Sequence, residues 1–555
     1  MKSQEKSQDT VPSIRKAVPE DKPADDFVED RGVLTSEEAI YDPIEDKFGG
    51  PFMWLITTSA AVGGLLFGYD LAIISGVLLM VGTDLDGKSL SSNNQELLTS
   101  ITSGGAFIGA LIAGYLLDRK GRRFVIGFGA IFFTAGSIIQ ASSFTLAQMT
   151  VGRLVVGLGI GEAAMVAPIY IAEISPARIR GRMVTIDALA ITFGQVFANV
   201  LNIAFEHVTN GWRYSVGIGA VPSLALLALC FVVPETPRYL IRKNRIEEAN
   251  RVTAKIYIHA TAEEIATKSE LIRQQFELEA ELLDMTLRQQ LHTLYHDSAN
   301  VAALLVACGL MGIQQFAGSN TLIYYAPTLF ALCGFKNAIA VSIVVTGANF
   351  LFGLFSLRYL DAVGRRRFLI YTMWGMPIAL VVAAVAIHFI PINSDLTVTN
   401  ADMTWAGVVV LVCIILFIAF YSSALGNIAW LGNELFPMEV RSLGTMMVTL
   451  TCWGSNIVVS STYLSMMKTL TPSGTFGFYA GINVISWIVV ILCYPEVSGL
   501  TLEEIKGVFR RGFGPKSVTY SMQLQKERNA ANKERQQTMD AANEKAKELE
   551  SESQA

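Results

Sequence analysis

Asp70 stands inside an apolar run from Phe52 to Met80, with Phe67-Gly68-Tyr69 before it and Leu71-Ala72-Ile73-Ile74 after it. A carboxylate at mid-membrane costs about 2.5–3.5 kcal/mol to insert, so an acid in such a run is a functional candidate by default and needs a partner. The chemistry it offers is the uptake and release of a proton. Glu162 and Asp187 are further acids inside or at the start of apolar runs, each a second protonatable group or the partner of a neighbouring helix. Asp187 is near enough to the end of its run to reach water. A second set of residues offers hydrogen bonds. Gln195, Gln314, Gln315, Asn320, Asn349 and Asn456 all lie in apolar runs. An amide both donates and accepts, which suits a neutral ligand with hydroxyls all round; the competing use of a single buried amide is to join two helices. Gln314 and Asn320 are six residues apart, and Gly318 between them lets the helix break so that both turn inward. Trp430 offers a flat apolar face to the C–H side of a ring. It stands only four residues before Glu434, where a tryptophan also serves at a membrane interface.

Other chemistries lack residues to carry them. Apolar residues make up 52% and charged residues 16% of the 555, against roughly 25% charged in soluble domains. That composition excludes a soluble enzyme, a nucleic-acid binder and a secreted disulfide scaffold. The net charge of -5 arises mostly at the two ends and says nothing about what the core binds. Cys230, Cys308, Cys333, Cys413, Cys452 and Cys493 fall singly with no C-x-x-C spacing, as packing residues do. His292 and His296 are four apart but have no third ligand nearby, so no metal is expected. Gly157, Gly159 and Gly161 look like part of a dinucleotide loop, yet in an apolar run small residues serve close helix packing. The absence of G-x-x-x-x-G-K-[ST] argues against ATP-driven chemistry. No paired acids or nucleophile with base lie within the runs, so neither an intramembrane enzyme nor a cofactor is expected.

The residues singled out need helices that cross a bilayer to position them. Apolar runs fall near 52–80, 97–117, 124–143, 148–172, 183–205, 213–233, 299–331, 338–360, 367–390, 405–432, 443–468 and 474–495. Each is near the ~20 residues that span ~30 Å of hydrocarbon. The expected fold is an all-α polytopic membrane protein of twelve transmembrane helices. Its expected organisation is a disordered tail over 1–48 without the apolar core of a signal peptide, a six-helix bundle over 49–237 and linker helices over 238–298. A second six-helix bundle follows over 299–496, and a polar tail over 497–555. Lys and Arg gather in loops after even-numbered runs: Arg119-Lys120-Gly121-Arg122-Arg123, then Arg178, Arg180 and Arg182, then Arg365-Arg366-Arg367, and Arg441. The main exceptions are Lys88, Arg213, Lys336 and Lys468. This bias places those loops, the linker and both tails in the cytoplasm. Two motifs recur. Asp118-Arg119-Lys120-Gly121-Arg122-Arg123 after the second run returns as Asp361-Ala362-Val363-Gly364-Arg365-Arg366 after the eighth. Glu173-Ile174-Ser175-Pro176 with Arg180 after the fourth returns as Glu434-Leu435-Phe436-Pro437 with Arg441 after the tenth. Parallel repeats of this kind imply two similar bundles with a path between them, the architecture of alternating-access carriers.

From Phe67 to Glu504 these motifs resemble the sugar porter branch of the major facilitator superfamily. Beside the repeats stand Phe67-Gly68-Tyr69-Asp70, Gly152-Arg153, Pro234-Glu235-Thr236-Pro237-Arg238, Gln314-Gln315-Phe316-Ala317-Gly318-Ser319-Asn320, Tyr324-Tyr325, and Pro495-Glu496 with Gly499-Leu500-Thr501. Gly334-Phe335-Lys336-Asn337 and Thr471-Pro472-Ser473-Gly474-Thr475-Phe476 are most similar to the fungal myo-inositol/proton symporters within that branch. The resemblance implies that the six amides and Trp430 line a substrate site, that Tyr324, Tyr325 and Gly426 serve gating, and that Arg153 partners Asp70 in a pair that protonation releases. Facilitative animal glucose carriers commonly have Asn at the position of Asp70, whereas many fungal hexose facilitators keep an acid there. Glu173, Arg180, Glu434, Arg441, Arg122, Arg123, Arg365 and Arg366 suggest a cytoplasmic latch of ion pairs across the bundle interface when the carrier faces outward. Exposed pairs contribute ~0–1 kcal/mol each, so only a network biases the two states.

The chain also departs from its relatives. Glu162 stands where they have a small or apolar residue, Asp187 where they show an amide, Ser422 where animal glucose carriers use a carboxylate, and Cys452 where an amide is common. Many relatives have a proline before the tryptophan, whereas Gly426-Asn427-Ile428-Ala429-Trp430 leaves helix breaking to Gly426. The expectation is a monomeric multi-pass carrier in the plasma membrane that imports a neutral polyol, most closely myo-inositol, with a proton. A hexose, pentose or other polyol carrier, symporter or facilitator, is the alternative. A nontransporting nutrient sensor ranks below both, since known sensors have much longer C-terminal extensions.

Overall fold

A chain surrounded by hydrocarbon must satisfy its backbone polar groups within helices. The computed structural model describes Ile44 and residues 50–530 apart from 177–178, 284–286, 394–395, 397–403, 499, 501 and 529; the side chains of residues 118, 180–182, 275, 278–283, 287, 357, 361–362, 433, 438 and 502–503 are also outside the described set. Expectations for the tail over 1–48 and for residues beyond 530 fall almost entirely outside it. Among the described residues, twelve helices are long and apolar enough to cross a membrane: Pro51–Met80, Ser92–Leu117, Arg122–Ala141, Leu146–Ile174, Met183–Phe205, Gly211–Val232, Ser298–Leu332, Ala338–Leu360, Arg365–His388, Trp405–Ser423, Arg441–Thr469 and Thr471–Cys493. They are numbered below as the first to twelfth spans.

The first six spans pack mainly on one another and the last six likewise. The halves meet where the second span lies along the eleventh, the fifth along the eighth and the first along the seventh. Close packing rests on small residues. Gly157 and Gly161 of the fourth span lie against the backbone of Thr102 and Ala106 in the second, and Gly159 lies against Gly129 in the third. The glycines that resemble a dinucleotide loop are thus contacts between helices.

Two of the interrupted spans shape the site. The seventh divides into Ser298–Phe316 and Ser319–Leu332 at Gly318, whose φ of +92° is left-handed and whose added Cβ would lie 2.8 Å from the Tyr479 ring. Asn483 of the twelfth span donates to the freed carbonyl of Ala317 at 3.0 Å. The tenth ends its α-helix at Ser423, continues as Leu425–Ile428 and turns to 3-10 geometry over Ala429–Leu435. The break falls at Ala424 (φ -139°, ψ -63°), not at the expected Gly426. Asn427 donates its side-chain amide to the Ser422 carbonyl at 3.0 Å, which compensates the interrupted ladder. Gly426 instead allows close approach, since a Cβ there would meet the Tyr421 ring at 3.1 Å.

The repeated basic motif has a structural partner in each half. Gly121 and Gly364 adopt φ of +96° and +90° at the starts of the third and ninth spans. Glu235 accepts from the backbone N–H groups of Arg122 and Arg123, both at 3.1 Å. Glu496 accepts from those of Arg365 and Arg366 at 3.2 and 3.0 Å. A Cβ on Gly121 would lie 2.3 Å from a Glu235 oxygen, and one on Gly364 would lie 2.9 Å from a Glu496 oxygen. Each carboxylate thus caps a helix N-terminus through a gap that only glycine leaves. Burial pushes the Glu235 carboxyl above its ordinary range, and the N–H groups of Thr236, Arg122 and Arg123 pull against that.

The end of the molecule that carries these turns is called the basic end, and the opposite one the far end. At the basic end, helices Pro237–Arg242, Ile246–Ile256, Ala262–Leu283 and Leu287–His296 connect the halves. Part of the expected polar tail is packed there: in Leu502–Arg510, Val508 and Phe509 are buried, and Lys506 pairs with Asp297 and Glu439 at 3.9 and 3.8 Å. Replacing Glu235 or Glu496 by Ala removes two cap acceptors, and each change is expected to lower stability by about 1–2 kcal/mol, with Gln costing less. Thermal unfolding of the detergent-purified chain measures this.

Candidate functional site

The mid-span acid has the arginine as its partner. Arg153 of the fourth span donates from Nη1 to Oδ1 of Asp70 in the first at 2.6 Å, and both residues are buried, 1% and 4% exposed. Arg153 Nε donates to the Leu98 carbonyl of the second span at 3.0 Å. One guanidinium therefore ties three spans, and its fixed fork of donors permits this where a lysine would not.

A network of amides lies beside that pair. In the seventh span Gln315 Nε2 donates to Gln314 Oε1 at 2.8 Å, and Gln315 Oε1 accepts from Asn320 at 2.7 Å and from Asn456 of the eleventh span at 3.0 Å. Asn456 Oδ1 accepts from Ser103 of the second span at 2.8 Å and from the Tyr324 hydroxyl at 3.3 Å. Tyr324 in turn lies within electrostatic reach of Asp70 and Arg153. A separate bond crosses between the halves, from Asn349 of the eighth span to Gln195 of the fifth at 2.8 Å. The break at Gly318 brings Gln315 and Asn320 together. Two residues that stand where relatives have other groups support the network: Gln315 Nε2 lies 3.0 Å from the Cys452 sulfur, and Ser422 donates to the Asn349 carbonyl at 2.7 Å. Trp430 is half-buried in the 3-10 stretch of the tenth span and packs against the core, with no hydrogen bond to the amides among the described residues.

The two ends of the interface differ. Toward the far end the halves are joined by hydrogen bonds: Glu96 of the second span accepts from the backbone N–H and hydroxyl of Ser465 in the eleventh at 2.7 and 2.6 Å. Thr99 and Tyr325 share a hydroxyl hydrogen bond of 2.6 Å, and Asn199 of the fifth span bonds Ser342 and Thr346 of the eighth, both at 3.1 Å. Tyr324 and Tyr325 are buried in this seam. At the basic end the expected latch residues pair within each half. Glu173 accepts from Arg122 at 2.7 Å, and Glu434 pairs with Arg365. Arg366 donates to the carbonyls of Tyr494 and Ile491 at 2.7 and 2.6 Å, Arg441 to Phe436, and Arg123 to Phe231. The side chain of Arg180 lies outside the described residues. Among those described, side-chain hydrogen bonds between the halves therefore run from mid-span to the far end, and at the basic end Arg122–Glu173 and Arg365–Glu434 pair inside each half.

The other acids do not join the site. Glu162 is fully buried at the interface of the third and fourth spans, with both carboxylate oxygens unpartnered. Asp187 does not reach water as its place in the sequence suggested; it is buried against Gly64 of the first span. His292 and His296 are exposed and stack on each other. Residues that the sequence did not single out include Ser103, Glu96, Thr99, Ser465 and Asn199. Serines and threonines are common in helices that pack in membranes, so only Glu96 and Asn199 carried a signal, as polar residues among apolar neighbours.

A buried acid–arginine pair in the first half, beside amides that join the two packed helical halves, defines a membrane carrier for a polar solute. The model of the family "Sugar (and other) transporter" matches residues 56–509, and the chain belongs to that family. It is 43% identical to Myo-inositol transporter 1 of Cryptococcus neoformans var. grubii over 89% of this chain and 86% of that one. It is 39% identical to Myo-inositol transporter 1 of Saccharomyces cerevisiae over 84% and 81%. Among solved structures it is similar to the proton:xylose symporter XylE bound to 6-bromo-6-deoxy-D-glucose, with TM-score 0.68 and 25% identity over 83% of this chain and 99% of that one. It is also similar to the inward-open conformation of XylE from E. coli, with TM-score 0.67 and 26% identity over 82% and 99%.

Breaking the buried pair from either side strands a charge, at a cost of about 3–5 kcal/mol. Aspartate can take up a proton whereas arginine cannot lose one. Asp70→Leu is therefore expected to destabilise more than Arg153→Met, and the double variant to recover part of the loss. Unfolding midpoints of the three variants test this, and strict additivity would contradict it.

Proposed function

We propose that this transporter imports a neutral cyclic polyol, myo-inositol above others, together with a proton, by alternating access to the polar core between its halves. The observation that carries the reading is the buried Asp70–Arg153 pair beside the amide network. The names of the two fungal relatives and the proton:xylose symporter support the solute class and the coupling.

In this reading the basic end faces the cytoplasm, both termini lie there, the two six-helix halves move against each other, and a monomer in the plasma membrane is the working unit. The seam closed toward the far end and the pairs kept within each half at the basic end support an inward-facing state in this reading.

The amides satisfy one another, and a hydroxyl can replace either side of such a bond because it donates and accepts at once. A polyol entering between Gln195 and Asn349, or beside Gln315 and Asn456, thus exchanges bonds in kind. The site offers no cation free of a partner for an anionic substrate among its described residues, since Arg153 is held by Asp70. Protonation of Asp70 removes the charge that holds the guanidinium and loosens the tie among the first, second and fourth spans. When the proton leaves, the pair closes again, as it is here. Glu173, Arg122, Arg365 and Glu434 would exchange partners across the basic end in the outward-facing state, forming the latch. One proton carried with a neutral solute moves one charge, ~2.3 kcal/mol per 100 mV, which at ~1.4 kcal/mol per tenfold supports a gradient of roughly 40-fold.

Uptake of labelled myo-inositol and glucose in transport-deficient cells tests the reading. Myo-inositol uptake is expected to rise as external pH falls, to collapse with an uncoupler, and to lose accumulation in Asp70→Asn. Uptake indifferent to all three overturns symport, and uptake of hexose alone overturns the substrate.

A further inference from the structure

Asp187 takes no part in the pairs and networks described so far. It lies near the basic end of the fifth span and is 4% exposed, and its Oδ1 has no hydrogen-bond partner. The carboxylate sits in a notch in the first span: a Cβ on Gly64 would lie 2.5 Å from Oδ1 and 2.9 Å from the Asp187 backbone oxygen.

The fifth span packs on the first, fourth, sixth and eighth. The ionisable groups on those spans are engaged elsewhere or lie elsewhere. On the first span, Tyr69 bonds the Ser215 carbonyl and Asp70 holds Arg153. On the fourth, Glu162 faces the third span, Glu173 holds Arg122, and the Tyr170 hydroxyl bonds the Pro234 carbonyl. On the sixth, Arg213 bonds the Ala141 carbonyl, Tyr214 packs on Phe205, and Cys230 lies beside Gly127 of the third span. On the eighth, Arg358 and Tyr359 are exposed. Of the described groups, only the Gly64 backbone is in polar contact with the carboxylate; the side chains of Arg180 and Arg182 on its own span lie outside the described residues. In this packing no described cation faces the carboxyl and burial favours its neutral form, so it ionises only when water enters from the basic end.

Its position gives that proton a direction. Gly64 precedes Asp70 by six residues, ~9 Å of helix rise toward the basic end. That is the side on which the halves share no side-chain hydrogen bonds among the described residues. We propose that Asp187 is a second proton-binding group, which receives the proton released by Asp70 and passes it to the basic end. The inference rests on the symport reading. In the step itself, Asp70 gives up its proton, through water admitted from the basic end, to ionised Asp187, whose Oδ1 gains the O–H bond. The Asp70 carboxylate then closes on Arg153, which is the arrangement observed. Asp187 later releases the proton to water at the basic end and is ionised again.

Proton release is needed for net accumulation but not for exchange of labelled for unlabelled solute, so the two modes separate relay from packing. The full chain is reconstituted in vesicles, and accumulation of labelled myo-inositol driven by a proton gradient is compared with equilibrium exchange. For Asp187→Asn, accumulation is expected to fall about tenfold or more while exchange stays within about twofold of the unaltered chain, and Asp187→Glu is expected to restore accumulation. Unchanged accumulation in Asp187→Asn overturns the inference alone. Loss of both modes in Asp187→Asn overturns it in favour of a packing role. Failure of the unaltered chain to accumulate solute under the gradient overturns the symport reading itself, and this inference with it.

Discussion

Hydrocarbon does not solvate charge. Every ionisable group within the spans must therefore be paired, neutral or moved to an end, and much of this structure is organised by that constraint. Asp70 and Arg153 meet it by pairing, at 2.6 Å and buried. Because the guanidinium also reaches the second span, the protonation state of one carboxylate decides whether three helices are tied together. Such a pair is a poor source of stability, since desolvation offsets much of its attraction. What it provides is two states of different connectivity, which is what a proton needs in order to drive a motion.

The same constraint shapes the backbone. Where the seventh and tenth spans break, the freed carbonyls of Ala317 and Ser422 are taken up by the amides of Asn483 and Asn427. The two halves solve the problem of their helix starts identically, with a glutamate capping the N-terminus behind a left-handed glycine. Repetition in the sequence thus reports a repeated physical need. The ends, in contrast, are asymmetric: side-chain hydrogen bonds join the halves toward the far end, whereas at the basic end ion pairs stay inside each half. In the proposed cycle that asymmetry reverses.

Much of this is legible in the sequence. The twelve spans followed from run length, and the broken seventh span from Gly318 between Gln314 and Asn320. Asp70 stood out because an acid in an apolar run needs a reason, although Arg153 was matched to it by family resemblance and not by spacing. Three features are not legible in the sequence, each for a physical cause. The break in the tenth span lies at Ala424 because a neighbouring amide compensates an ordinary residue there, which composition does not reveal. Asp187 looked close to water because sequence gives depth along a helix but not the neighbour that covers it. The far-end seam of Glu96, Thr99, Tyr325 and Ser465 depends on which residues of distant spans face each other, and no local pattern encodes that.

The central claim is that the proton on Asp70 moves with the solute. Its most direct test is the charge displaced when myo-inositol is added to vesicles of the purified chain on a solid-supported membrane. The account predicts a solute-dependent current carrying positive charge in the direction of transport, with a matching pH change, and neither in Asp70→Asn. Transport of myo-inositol by the unaltered chain without current or pH change would contradict it.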